Sequence, residues 1–294
     1  MKSGGGDRRP RTPGRPLKTA DLAAIHSRNN RRTSDFWDLY APHRQHLLEI
    51  IAQYASGSRL CILGAGNAND LDLERFAALF AEVHLTDLDA SALTRAFERQ
   101  SPETQRRLVL HPKHEVSGFL ERLPAWRKTD PTPETLANLV PVGASRIAKA
   151  LPGPFDLVVS DCVVSQLFWT CFEALGNRPL LTHVIRAVLL THLRALVALT
   201  RPGAWSLLVT DTISSDTVPL DNLYPRADPL ALLRELDHSQ MLFSGTSPSL
   251  ADAVIRGDEQ LTAGFDDVIV IPPWLWRVAS HRTALVYALA FHRA

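Results

Sequence analysis

The chain has 294 residues, 45% hydrophobic and 21% charged, enough for a sizeable core in one large domain or two small ones. A formal net charge of +1 excludes a strong overall field for nucleic acid or anionic membrane. No apolar run is expected to reach the length of a membrane span, and three cysteines (Cys61, Cys162, Cys171) show no metal spacing. The cysteines read as buried thiols and the N-terminus lacks a secretory apolar core, so a cytoplasmic protein is expected.

Residues 1–33 are rich in Gly, Pro and Arg and read as a basic, disordered N-terminal arm, with one folded domain over 34–294. Such an arm can touch phosphate groups, though no aromatic residue is interleaved before Phe36. From Pro42 onward Leu47, Leu48, Ile50, Ile51 and Tyr54 recur at helical spacing, and Gly57 ends that helix. The run Leu60 to Leu63 is continuously apolar, as in a strand covered on both faces, and stops at Gly64-Ala65-Gly66-Asn67-Ala68-Asn69-Asp70. Two glycines one residue apart allow a tight turn and bring bare backbone against a ligand, whose negative groups would meet the next helix's N-terminus. A second strand, Val83 to Leu85, ends at Asp87, where a carboxylate can accept hydrogen bonds from ribose hydroxyls.

A helix over 91–100, a short strand at Leu108 to Leu110 and a proline-bearing helical insertion at about 119–150 follow. Phe155 to Cys162 is the next buried strand, Leu180 to Leu199 a strong helix and Trp205 to Asp211 another strand. A short helix at Leu230 to Leu236 precedes strand-like runs at Val268 to Ile271 and Arg282 to Phe291. Strands and helices in this alternation predict an α/β sheet, parallel except at its end.

The third glycine of a dinucleotide turn is replaced here by Asn69, followed by Asp70. A carboxylate there opposes a pyrophosphate and disfavours an NAD(P)-dependent oxidoreductase, but it suits a cofactor carrying an ammonium group and no phosphate. The turn Gly64 to Asp70, the acidic Asp87, the strand Phe155 to Asp161 and the turn Leu199-Thr200-Arg201-Pro202-Gly203-Ala204 together resemble the class I S-adenosylmethionine-dependent methyltransferases. The resemblance covers about residues 58–211 and implies a doubly wound, mostly parallel seven-stranded sheet with an antiparallel C-terminal strand and helices on both faces. It implies S-adenosyl-L-methionine as cofactor, held by Gly64, Ala65, Gly66, Asn67, Asp70, Asp87, Leu88 and Asp161. The preceding helix would place His43 or Arg44 within reach of the cofactor carboxylate. Glu115 stands near the family's adenine-binding acid, and Ser160-Asp161-Cys162-Val163 departs from the Asp/Asn-Pro-Pro-Tyr/Phe motif of amide and base N-methyltransferases.

A sulfonium methyl is already activated, so direct in-line transfer to a small-molecule acceptor is the expected reaction, with Asp161 as the candidate general base. The alternatives are an inactive binding module of this fold, or an RNA or protein methyltransferase that uses the basic arm. Ser165 to Trp169, Trp274 and Trp276 are candidate substrate-facing residues or core, and no metal is expected. His84 and Cys162 read as packing, and His281, Arg282 and His292 have no arrangement that singles them out.

Overall fold

The computed structural model describes residues 17–294. The chain begins with helices α1 (Thr19–Arg32) and α2 (Ala41–Tyr54), then enters strand β1 (Arg59–Leu63). Helix α3 (Leu73–Leu79), strand β2 (Glu82–Asp87), helices α4 (Ala90–Glu98) and α5 (Pro102–Gln105) and strand β3 (Leu108–Pro112) complete the first half. Helices α6 (Leu123–Trp126) and α7 (Pro133–Lys149) lead to β4 (Phe155–Asp161), α8 (Val164–Leu175), α9 (Leu180–Leu199) and β5 (Thr200–Ser214). Short helices α10 (Leu220–Leu223), α11 (Pro229–His238), α12 (Pro248–Arg256) and α13 (Glu259–Gly264) precede the terminal hairpin of β6 (Phe265–Ala279) and β7 (Arg282–Arg293).

The seven strands lie in the order β3-β2-β1-β4-β5-β7-β6, with β1 to β5 parallel and β7 antiparallel to both neighbours. This is the sheet expected from the element order and the resemblance. Alternate residues of each strand feed two separate cores. Cys61, Leu63 and Val158 join Leu285, Tyr287 and Leu289 on the face covered by α8 and α9. Leu60, Ile62, Leu157 and Val159 join Val286 and Ala288 on the face covered by α2 and α3. Burial on both faces is why these strands read as unbroken apolar runs. The chain runs outward in one direction through β1, β2 and β3 and in the other through β4 and β5. A crevice therefore opens at the carboxyl ends of β1 and β4, the usual ligand position in such sheets.

Four expectations change. Residues 1–16 of the predicted arm lie outside the described residues, but Thr19–Arg32 is a helix that buries Leu22, Ile25 and His26 against α8 and α4. Few apolar residues are needed to seat a single helix face, so its basic composition hid it. The segment 119–150 is helical as expected, yet it is a covering layer of the core: Phe119, Leu123, Leu136, Val140 and Ile147 are buried beside α9. Ser165 to Trp169, expected at a strand tip, form the opening turns of α8. Helix α9 has twenty residues and a mean hydropathy of 1.5, so it is long and apolar enough to cross a bilayer, but 72% of that window is buried inside the fold.

Candidate active site

The glycine turn leaves β1 with Gly64 at φ +86° and Gly66 at φ +50°, in the left-handed region. A Cβ on Gly64 would lie 2.6 Å from Val163 Cβ, so the turn and the start of α8 are as close as bare backbone permits. Gly66 N–H donates to Asp87 Oδ2 at 2.9 Å, and Asp89 N–H donates to Asp87 Oδ1 at 2.7 Å. Asp87 therefore sits where expected, with a fixed carboxylate whose remaining lone pairs can accept from hydroxyl groups. Burial raises its pKa to about 6 despite these two bonds.

Asp87, Leu88, Gly64, Val116 and Val163 line a narrow slot of about 20 Å³ and mixed polarity at the ends of β1 and β2, closed from above by His26 and Asn30 of α1. His26 Nε2 lies 3.1 Å from Thr170 Oγ1, which joins α1 to α8 over the slot. Glu115 also borders the slot, but its carboxylate accepts from Ser117 N–H at 2.5 Å and Gly118 N–H at 3.0 Å and pairs with Arg146. Its first duty is to hold the turn after β3.

Asn67 and Arg44, both expected against the cofactor, also hold the scaffold, and Asn67 lines the cavity beside the turn. Asn67 Nδ2 donates to Asn30 O and Asn69 Nδ2 to Thr33 O, each at 2.5 Å, so the glycine turn grips the C-terminal carbonyls of α1. Arg95 donates to Asn67 Oδ1 at 2.9 Å and Arg99 to Asn69 Oδ1 at 2.8 Å, holding both amides in that orientation. Arg44 Nη1 donates to Trp37 O at 2.8 Å and Asn69 O at 2.6 Å, while its guanidinium stacks 3.5 Å from the Trp37 ring centroid. With Nη1 engaged there and its plane on Trp37, Arg44 is not among the residues lining the cavity beside the glycine turn. His43 is equally removed: it is buried, stacks 4.3 Å from Trp276, and accepts from Trp274 Nε1 at 2.9 Å through Nδ1.

The slot opens beside the turn into a second cavity of about 330 Å³, lined by Gly64, Ala65, Gly66, Asp70, Asp161 and Asp211 among others. Asp161 is 2% exposed, and neither of its oxygens has a hydrogen-bond partner. Burial, then the nearby Asp70 charge, push its pKa well up. Asp70 is raised to about 6, by burial first and in part by Asp87, against the pull of its own backbone N–H and of Arg44. The buried Asp161 and the half-buried Asp70, with Asp211 on the same cavity, favour a positively charged guest, although Arg32 and Arg282 also line that space. His43 Nε2, Asp161 and Cys162 Sγ come within 4.8 Å of one another. However, burial lowers the His43 pKa to about 3, and the Trp274 bond keeps its proton on Nε2, so in this tautomer the ring faces them with an N–H rather than a metal-binding lone pair. Cys162 occupies a left-handed conformation (φ +46°) with its thiol pKa pushed up by burial, consistent with packing rather than nucleophilic use.

A third space of about 530 Å³ adjoins the second, walled by Phe168, Trp169, Phe172, Ile185 and Phe243. Asp211, Ser165 and Arg282 line both spaces. Ser165 Oγ donates to Asp211 Oδ1. Arg282 is placed by Asp216 at 2.9 Å and Ser214 Oγ at 3.3 Å. Sequence reading named Ser165 only as part of a run and missed the other two, because three distant elements bring them together. Asp161 lines the second cavity but not the aromatic one. Trp274 is core and Trp276 a wall of the second cavity, while His84 packs on Phe155 and hydrogen-bonds Glu82 and His111 away from all three spaces.

No family profile and no curated protein matches the chain. Among solved structures it is similar to an rRNA methylase from Streptococcus thermophilus, at 10% identity over 84% of this chain and 94% of that one, TM-score 0.40. It is also similar to an O-methyltransferase family protein from Burkholderia thailandensis, at 13% identity over 95% and 64%, TM-score 0.43. A third is a SAM-dependent methyltransferase from Methanosarcina mazei, at 12% identity over 83% and 96%, TM-score 0.43. At these values the likeness is one of overall chain path, and the reading of the site rests on its own residues.

Proposed function

We propose that this protein transfers a methyl group from S-adenosyl-L-methionine to a small-molecule acceptor. The observation that carries the reading is the partnerless, buried Asp161 beside Asp70, on the same crevice as Asp87. A ribose fits Asp87 and the cofactor's sulfonium and ammonium charges fit the two aspartates, while the slot of about 20 Å³ beside Leu88, Val116 and Val163 has to widen, as by a shift of α1, to admit the adenine ring. A dinucleotide would instead bring its pyrophosphate against those aspartates. Bound S-adenosylmethionine supplies an activated methyl group, leaving the protein to place the acceptor and exclude water. Gly64 and Gly66 give close backbone approach, α1 closes the slot, and Asp161 and Asp70 offset the cofactor's positive charge.

A small acceptor is favoured by the half-open aromatic cavity of about 530 Å³ that adjoins the site. The test is calorimetry with S-adenosylhomocysteine and NADH. Binding of the first and not of the second is expected, and Asp87→Ala should weaken it by about 1–3 kcal/mol through loss of charge-assisted hydrogen bonds. A folded sample with no affinity for either S-adenosylmethionine or S-adenosylhomocysteine overturns the reading.

A further inference from the structure

The aromatic cavity carries more information than its position. Its volume of about 530 Å³ lies within the range of small-molecule sites, and Trp169 and Phe172 leave 45% and 38% of their surface uncovered at its wall. Large exposed aromatics are costly in water and marked for stacking on a guest. Their rings stand 5.4 Å apart at 31°, one continuous apolar surface along α8. Asp211 is the sole acid among the described lining residues. Ser165 Oγ donates to its Oδ1, and its own backbone N–H and the Arg282 charge also act on the carboxylate. The carboxylate is thus oriented at the junction of the two cavities, toward a guest that spans them.

We propose that the aromatic cavity takes a planar, largely apolar alcohol of the phenol type, and that Asp211 is the base for its methylation. The proposal rests on the cofactor reading above. An amine nucleophile can lose its proton after the new bond has formed, whereas a hydroxyl needs a base during the reaction, which is what an oriented carboxylate provides. The acceptor oxygen forms the new O–CH3 bond as the S–CH3 bond breaks. The breaking bond's electron pair stays on sulfur, and the hydroxyl proton passes to Asp211 Oδ2. Sulfonium and carboxylate both become neutral, so charge is conserved, and Asp211 later returns its proton to solvent. Burial holds the Asp211 pKa above the usual carboxylate range, in the direction that improves a base. The groups facing it are Ser165 from α8, Arg282 from β7, Arg32 from α1, Tyr40 ahead of α2, Asp161 at the end of β4 and Cys162 just after it. Ser165 acts through Asp211 and is a positioning residue.

Naphthol is the probe, with labelled S-adenosylmethionine as donor. The expected results are naphthol binding by equilibrium dialysis in the presence of S-adenosylhomocysteine, and formation of labelled methoxynaphthalene. Asp211→Asn should lower kcat by about a hundredfold while still binding S-adenosylhomocysteine, and Trp169→Ala should raise KM for naphthol far more than it lowers kcat. Ser165→Ala should lower kcat less than Asp211→Asn and shift the acid limb of the pH–rate profile upward, since Asp211 loses a bond to its charged form. Binding of S-adenosylhomocysteine without naphthol binding or methylation overturns this proposal alone, as does full activity in Asp211→Asn. Failure to bind S-adenosylhomocysteine overturns the cofactor reading and this one with it.

Discussion

Under the proposed cofactor reading, Asp161 serves function at the expense of stability. Its carboxylate is buried without a hydrogen bond and close to a second acid, an arrangement that costs free energy whenever it ionises in the empty cavity. A cationic guest turns that cost into attraction. Asp161→Asn should therefore stabilise the cofactor-free protein by about 0.5–2 kcal/mol, visible as a raised thermal midpoint, while weakening S-adenosylmethionine binding. A variant with a lower midpoint and undiminished affinity would show Asp161 to be structural. Arg44 is the reverse case: a charge free to reach a ligand when read from sequence proves to be tied to Trp37 O and Asn69 O. Asp87 could be read from sequence because β1, one turn, α3 and β2 fix its position relative to Gly66. Asp211 and Arg282 could not, since each lies on a strand whose neighbour is set by topology alone.

Among the elements, α1 departs most from its composition. Its last turn is basic, yet its function is to cover the slot, and the hydrogen bonds that seat it come from Asn67 and Asn69 in the glycine turn. The two asparagines look like ligand contacts because they stand in the ligand-binding motif. Their amides also satisfy carbonyls at a helix end that would otherwise lack partners. Asn67→Ala should remove about 1 kcal/mol of local anchoring, raising amide exchange in α1 about fivefold with little change in α9. Exchange that rises equally in both helices would mean global destabilisation instead. Helix α8 went unread for a related reason: Ser165 to Trp169 directly follow a strand, and their apolar stripe is split between the core and the aromatic cavity.

At the scale of the whole molecule, burial shifts acids and imidazoles in ways that oppose each other with pH. Asp70 and Asp87, raised to about 6 in the fold, bind protons more tightly folded than unfolded, so the stability they contribute at low pH is lost as pH rises from about 4 to 6. His192 acts in the other direction. It is fully buried, with Nε2 2.8 Å from Ser160 Oγ and Nδ1 3.0 Å from Val116 O, and burial lowers its pKa to about 4. Between pH 6.5 and 4 the unfolded imidazole takes up a proton that the folded one cannot, so stability falls as pH drops through that window. His192→Gln should remove a loss of roughly 2 kcal/mol between pH 7 and 5, measured as the difference in urea unfolding free energy between variant and parent. Equal acid sensitivity in the two proteins would contradict that assignment.

The sequence by itself determined the features carried by short-range pattern: the doubly covered strands, the glycine turn and the acid at the end of β2. These are legible because φ/ψ preference, side-chain alternation and a strand–turn–helix spacing act over a few residues. Only the tertiary structure decided that α1 is a cover, that Arg44 and Asn67 are braces, and that Ser165, Asp211 and Arg282 meet at the junction of two cavities. Those facts depend on which strands become neighbours and which buried polar groups find partners, and both are settled by contacts between residues far apart in the chain.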